Sequence, residues 1–484
     1  MDIGPVNNII LLADCYKVAH HRLYPPGTTT LYSYFESRGG KFPYTVFFGL
    51  QYILKRWLVG RVVTEEVIQE AKEIFNATHM NEDTFNEEGW NHILKKHGGY
   101  LPVRIKAVAE GSVVPTRNVL FTVENTDPAV PWLTQYLETI LVQTWYPMTV
   151  ATISRVCKQL LYNSNERTSD DQSLLSGSLS DCGYRGASSL ESAAVGGAAH
   201  LVNFTITQNI AGTCLLRKYY NVHGVPGYAN ISSEHSTVTT WGREEESAAH
   251  RNVMKTFFGR KVACVVDSYD IWKSINDIFC GELKDIVLQH KSEGGTLAIR
   301  PDSGDPKQVL LKCLDVLGKE FGTEKNSKGY KVLPSFMKVL QADGINCKSL
   351  AAILKAMEDS GWASNNAVFG AGAAILQKID RDTQKCAYKC SLAVIDEKER
   401  EVFKQPIADP GKHSKRGRLA LLYKNGVYTT VKASECTTKQ DHLETVYENG
   451  KLLKDFSLEE IRERAQVTSI DTEILKFIEQ DSLQ

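Results

Sequence analysis

The sequence predicts an α/β chain: an irregular (β/α) TIM-like barrel joined to an α+β domain built from the N- and C-terminal segments. Three observations predict it. Five short apolar runs between residues 228 and 372 each end in polar or glycine-rich residues, and those ends recur roughly every 27 to 43 residues, about one βα unit. No G-x-G-x-x-G follows an early strand, which argues against an open Rossmann-type sheet. On either side of the runs the texture is mixed helix and hairpin.

Taken in order, Thr64 opens a helix that begins with Glu65 and Glu66 and carries Val67, Ile68, Ala71, Ile74 and Phe75 on one face. A second helix ends at Gly98-Gly99, and Val103 to Val108 alternates as a strand does. Two helical stretches follow, separated by Pro147, a natural hinge that sets the first domain at 1–147. The Ser- and Asp-rich stretch from Asn163 to Asp181 reads as a mobile surface loop.

The barrel is expected over 148–395. Tyr228 to Ser232 leads into Ser233-Glu234-His235-Ser236, and Val262 to Val266 into Asp267-Ser268-Tyr269-Asp270. Leu297 to Ile299 leads into Arg300-Pro301-Asp302-Ser303-Gly304-Asp305. Met337 to Leu340 leads into Gln341-Ala342-Asp343-Gly344, and Ala367 to Phe369 into Gly370-Ala371-Gly372. In a parallel barrel such ends converge on one rim and build the active site. The segment 396–484 is expected to pack on the N-terminal domain; Asn425-Gly426 and Asn449-Gly450 are type I′ turn signals, and a capping box at Ser457 to Glu460 starts a helix.

The 484 residues carry 56 Lys+Arg against 57 Asp+Glu, a net charge of −1, which excludes a tail-driven nucleic-acid binder. Eleven scattered cysteines are not the framework of a small secreted fold, so a reducing compartment is expected. No signal-like segment and no run of ~20 apolar residues is present, which makes a cytoplasmic protein without a membrane partner the expectation. A phosphate loop, an H-E-x-x-H motif and a paired C-x-x-C are all missing.

The strand ends instead suit a phosphorylated sugar. Gly370 to Gly372 offers backbone N–H groups to an anion, or simply a tight turn. Arg185 sits between glycines in Gly183-Tyr184-Arg185-Gly186; Arg300, Arg381 and Lys389 add cations near the same expected rim. Lys412, His413, Lys415, Arg416 and Arg418 form a basic run. Asp267, Asp302 and Asp343 supply carboxylates for ribose hydroxyls or for water around Mg²⁺, and His235 is a candidate acid/base or phosphoryl acceptor.

Ile9-Ile10-Leu11-Leu12-Ala13-Asp14-Cys15-Tyr16-Lys17, His20, Tyr24-Pro25-Pro26 and Tyr32-Ser33-Tyr34-Phe35-Glu36 resemble the N-terminus of the nicotinamide phosphoribosyltransferase family. Gly183 to Gly186, Glu234-His235-Ser236-Thr237, Asp267 to Asp270 and Ile299 to Gly304 resemble it too, so the likeness runs along the whole chain in order. The resemblance implies a type II phosphoribosyltransferase of NAD salvage, a homodimer with two active sites at the subunit interface. It implies transfer of phosphoribose from phosphoribosyl pyrophosphate to nicotinamide, with Mg²⁺ carried by the pyrophosphate rather than held directly by the protein. It further implies ATP coupling through phosphorylation of His235, with Asp302 and Arg300 beside it in catalysis. Arg38, Arg185, Arg300, Arg381, Lys389, Lys404 and Lys412 would hold phosphates, and Gly372 and Asp343 would lie beside them. Asp267 and Asp302 would lie around ribose and base, and Asp14 and Tyr16 would reach the partner's site, Tyr16 stacking on the pyridine.

Three positions depart from the family pattern. Cys182 stands where the family has a Phe forming the second face of the pyridine sandwich, a loss of about 1–3 kcal/mol of stacking. Gln208 replaces an Asp that accepts from the carboxamide, and Gln both accepts and donates. Ala342, Ala373 and Ala374 add methyls near the glycine turn, which would crowd a phosphate wherever φ must be positive. The alternatives that follow are nicotinate or another base as substrate, and a catalytically weak regulatory paralogue.

Overall fold

The computed structural model describes residues 7–78 and 84–480. The chain divides into two compact units. One comprises Ile153–Cys214, Gly224–Lys378 and Gln466–Gln484; the other comprises Met1–Thr152, Leu215–His223 and Ile379–Ala465.

The first of these is built on six parallel strands: β1 (Leu179–Asp181), β2 (Ile231–Ser232), β3 (Lys261–Val265), β4 (Thr296–Arg300), β5 (Met337–Gln341) and β6 (Ala367–Ala371). They lie in the order β1-β6-β5-β4-β3-β2. Isolated parallel bridges join Asp181 to Thr207 and Ile206 to Tyr228, beside the two edge strands. The expected runs are all present, each feeding a helix. Asp305 caps Pro306–Phe321 by accepting from Gln308 N, Pro306 occupies the first position, and Leu310, Cys313, Leu314 and Leu317 are buried. Cys347–Asp359 starts on a reciprocal Asn346–Ser349 box and buries Leu350, Ile353, Leu354 and Met357. A strand-then-helix alternation turns the strand C-termini, and their polar residues, to one end.

The structure narrows the expected loop at 163–181 to the irregular stretch 169–178, where Asp170, Asp171 and Ser173 are exposed; the residues before it are helical and Leu179–Asp181 is strand β1. Trp145–Thr168 is one helix, and Asn163, Ser164, Asn165 and Thr168 are buried on it. Three of the four are satisfied internally: Asn163 Nδ2 donates to Asp471 O, Ser364 Oγ to Asn165 Oδ1, and Asn326 Nδ2 to Thr168 O. Pro147 lies in the first turn of the same helix, where its missing N–H leaves no bond unmade.

The other unit centres on a seven-stranded antiparallel sheet that interleaves both ends of the chain. Thr28–Ser37 pairs with Cys386–Ile395 on one side and Val119–Asn125 on the other, and Val103–Ala107 joins the latter to Glu444–Glu448. Phe35 stacks on Phe121 at 4.7 Å in its core. Both hairpin turns form, with Asn425, Gly426, Asn449 and Gly450 at positive φ as type I′ requires.

Candidate functional site

A cavity of about 1420 Å³ opens in the parallel-sheet unit, and Cys182, Arg185, Gln208, His235, Arg300 and Asp302 all line it. Each projects from a strand end or the loop just beyond, as strand polarity requires.

The polar corner is built from β2, β3 and β4. His235 Nδ1 lies 3.1 Å from Ser268 Oγ, while Nε2 faces Asp302 Oδ2 at 3.6 Å and Asp267 Oδ1 at 3.9 Å. The histidine side chain is 44% exposed, so a ligand can reach it. Asp267 is fixed from one side: its Oδ2 accepts from Asp302 N at 2.9 Å and from Ser303 Oγ at 2.5 Å. Its buried Oδ1 has no hydrogen-bond partner among the described residues. Arg300 donates from Nη1 to Ser232 Oγ at 3.0 Å and lies 3.7 Å from Asp302, yet its buried Nε is also unpartnered. A buried acceptor and a buried donor left open at one corner are costly unless a ligand completes them. Ser232, Ser268 and Ser303 orient this corner; sequence reasoning gave them no role, although all three stand within the strand-end motifs.

The opposite wall is held by Asp181, whose carboxylate accepts from Gly183 N and Asn209 Nδ2. A Cβ on Gly183 would come within 3.0 Å of Gly372 O, so the Arg185 turn and the Gly372 turn pack directly. Cys182 lies beside Gly370 and Ala342, and enclosure pushes its thiol up, with Ser180, Arg300 and Arg185 opposing; it is a neutral wall, not a thiolate. Neither Ala342 nor Ala373 has positive φ, so their methyls impose no backbone strain. Gln208 Nε2 donates to Asn230 O at 3.2 Å, which leaves Oε1 as the free acceptor. Asp343 is exposed outside the lining, its carbonyl accepting from Gln341 Nε2.

The remaining candidates belong to the antiparallel unit, including Arg381 and Lys389, expected on the strand-end rim. Arg38, Arg381, Lys389 and Lys404 gather there: burial pulls the Lys389 amine below its ordinary value, Glu138 opposes, and the three other cations reinforce. Arg38 Nη1 is buried without a partner among the described residues. A half-buried amine set among three other cations is a receptive field for an anion. Lys412 pairs with Asp409 at 2.9 Å. Farther along that basic run, Lys415 pairs with Glu36, Arg416 with Glu401, and Arg418 with Glu124 and Glu399. Those three are structural. Asp14 exchanges hydrogen bonds with Thr139, and Tyr16 is 61% exposed on the turn Cys15–Arg22.

No helix among the described residues is long and apolar enough to cross a membrane. The model of the nicotinate phosphoribosyltransferase (NAPRTase) family matches residues 178–451, and that of the nicotinamide phosphoribosyltransferase N-terminal domain matches residues 8–105. A nicotinamide phosphoribosyltransferase of Xanthomonas campestris pv. campestris is 46% identical over 474 residues, covering 96% of this chain and 99% of its own. One of Acinetobacter baylyi is 32% identical, covering 96% and 97%. The crystal structure of human nicotinic acid phosphoribosyltransferase shares the fold, with a TM-score of 0.56 at 17% identity over 93% of this chain and 92% of that one. With the strand-end constellation, these matches make the chain a member of the nicotinate phosphoribosyltransferase family and a pentosyltransferase.

Proposed function

We propose that this protein transfers phosphoribose from phosphoribosyl pyrophosphate to nicotinamide, forming nicotinamide mononucleotide and pyrophosphate for NAD salvage. The observation that carries the reading is the open corner of His235, Asp267, Arg300 and Asp302. In the reaction the C1′–O bond to pyrophosphate breaks as the pyridine nitrogen bonds C1′, so the sugar becomes cationic while negative charge departs. Asp267 Oδ1 is a ready acceptor for a ribose hydroxyl, and Asp302 faces the developing positive charge. Arg300, pinned by Ser232, and Arg185 meet the anionic side. We assign Arg38, Arg381, Lys389 and Lys404 to the phosphates on their clustering, and Lys412, Gly372 and Asp343 by resemblance.

The Asp302 carboxylate also suits the water shell of Mg²⁺ carried in by pyrophosphate, and that ion would neutralise the leaving group. His235 is the phosphoryl acceptor in this reading: the γ-phosphoryl of ATP passes to an imidazole nitrogen and ADP leaves. The bridges flanking β1 and β2 support an irregular barrel. Tyr16 and Asp14 serve the partner's site in a cytoplasmic homodimer, checked by sedimentation at twice the 54.0 kDa chain mass.

Gln208 bears on the base. With Nε2 committed to Asn230 O, the free Oε1 accepts from a carboxamide NH₂ and repels a carboxylate, which favours nicotinamide over nicotinate. Purified protein given phosphoribosyl pyrophosphate, Mg²⁺ and nicotinamide is expected to form the mononucleotide, with ATP accelerating turnover. His235→Asn is expected to abolish the ATP acceleration and leave the ATP-independent rate. No turnover of any pyridine base refutes the enzyme reading, and ATP acceleration surviving in His235→Asn refutes the role of the histidine.

A further inference from the structure

The antiparallel unit holds a second constellation that phosphoribosyl transfer does not use. Helix Glu87–His97 ends on Gly98, and two of its histidines converge on the loop after the strand Val119–Asn125. His92 Nε2 lies 2.8 Å from Asp127 Oδ2, and His97 Nε2 lies 2.6 Å from the same oxygen. Asp127 is only 2% exposed. Its Oδ1 accepts from Ala129 N at 2.9 Å and its carbonyl from Asn125 Nδ2 at 2.8 Å, so the carboxylate is fixed from behind. The histidines, 30% and 24% exposed, leave the front open to solvent. Lys96 Nζ also reaches Oδ2, at 3.0 Å, from a largely exposed side chain.

We infer that His92, His97 and Asp127 form a binding site for a borderline divalent transition-metal ion of the Zn²⁺ class. Their three ligand atoms lie within 4.8 Å of one another. Metal–ligand bonds of about 2.0–2.2 Å place neighbouring tetrahedral ligands roughly 3.3–3.6 Å apart. The two imidazoles therefore draw back from the carboxylate by well under a side-chain rotamer change, each moving its proton to Nδ1. Lys96 swings into solvent, and water takes the open fourth position. Two imidazoles with one carboxylate suit such an ion and not Mg²⁺, which demands oxygen. The bound ion would clamp the end of the helix to the strand exit.

The test uses full-length protein stripped of metal by a chelator, titrated calorimetrically with Zn²⁺ and spectroscopically with Co²⁺. His92→Gln and His97→Gln each keep an N–H donor for Asp127, and circular dichroism with the melting midpoint verifies their fold. The expected result is one saturable Zn²⁺ equivalent in the wild type, weakened at least about tenfold in each variant, with loss of the tetrahedral Co²⁺ absorption. Identical isotherms in wild type and variants, or no saturable equivalent at all, would overturn the site and leave a purely hydrogen-bonded anchor for Asp127.

Discussion

Cys182 is a small, neutral side chain set among other small residues, Gly370 and Ala342, on the wall of the cavity. Cys182→Phe would restore an aromatic face to a bound pyridine, worth about 1–3 kcal/mol. The Michaelis constant for nicotinamide is expected to fall about tenfold, and an unchanged value contradicts the stacking argument. At this scale the sequence was legible wherever a residue directly follows a strand: His235, Asp267, Arg300 and Asp302 could be picked out and meet as expected. It was not legible where partners lie far along the chain. Nothing local to Lys415 and Arg418 reveals Glu36 and Glu124, whose strands bring them alongside. The hydrogen bond from Gln208 to Asn230 is equally invisible until the two loops are adjacent.

Among the elements, the short helix Leu50–Ile53 shows how a buried group couples to pH. Glu110 Oε1 accepts from Gly49 N at 3.1 Å and Gln51 N at 2.6 Å at the start of that helix. Burial nevertheless pushes its carboxyl up to about 7, the two backbone donors only partly offsetting the desolvation. The folded state holds the proton more tightly than the unfolded chain, so this group contributes stability below pH 4.5 that is lost as pH rises to 7. Glu110→Gln keeps both backbone bonds and removes the titration. Its unfolding free energy is expected to fall by roughly 3 kcal/mol less than that of the wild type between pH 4.5 and 8, measured by denaturant titration. Equal pH slopes would refute this. Hairpins and caps were readable because Asn-Gly and Ser-x-x-Glu act within a few residues. The end of helix Trp145–Thr168 was not, since its buried asparagines are satisfied by Ser364 and Asp471, far away in sequence.

For the whole molecule, a net charge of −1 conceals segregation. Arg38, Arg381, Lys389 and Lys404 crowd together in one unit, while Asp267 and Asp302 flank His235 in the other. The parallel strands were legible as a series because each repeats the same apolar-then-polar signature; that Cys386–Ile395 joins the antiparallel sheet was not, because long-range pairing leaves no local mark. The central claim is a pentosyltransferase selecting the amide base, and one competition measures it. Equimolar nicotinamide and nicotinate are offered together with phosphoribosyl pyrophosphate, Mg²⁺ and ATP, and both mononucleotides are quantified. Nicotinamide mononucleotide in clear excess is the expected result; a predominance of the nicotinate product, or no product from either base, would contradict it.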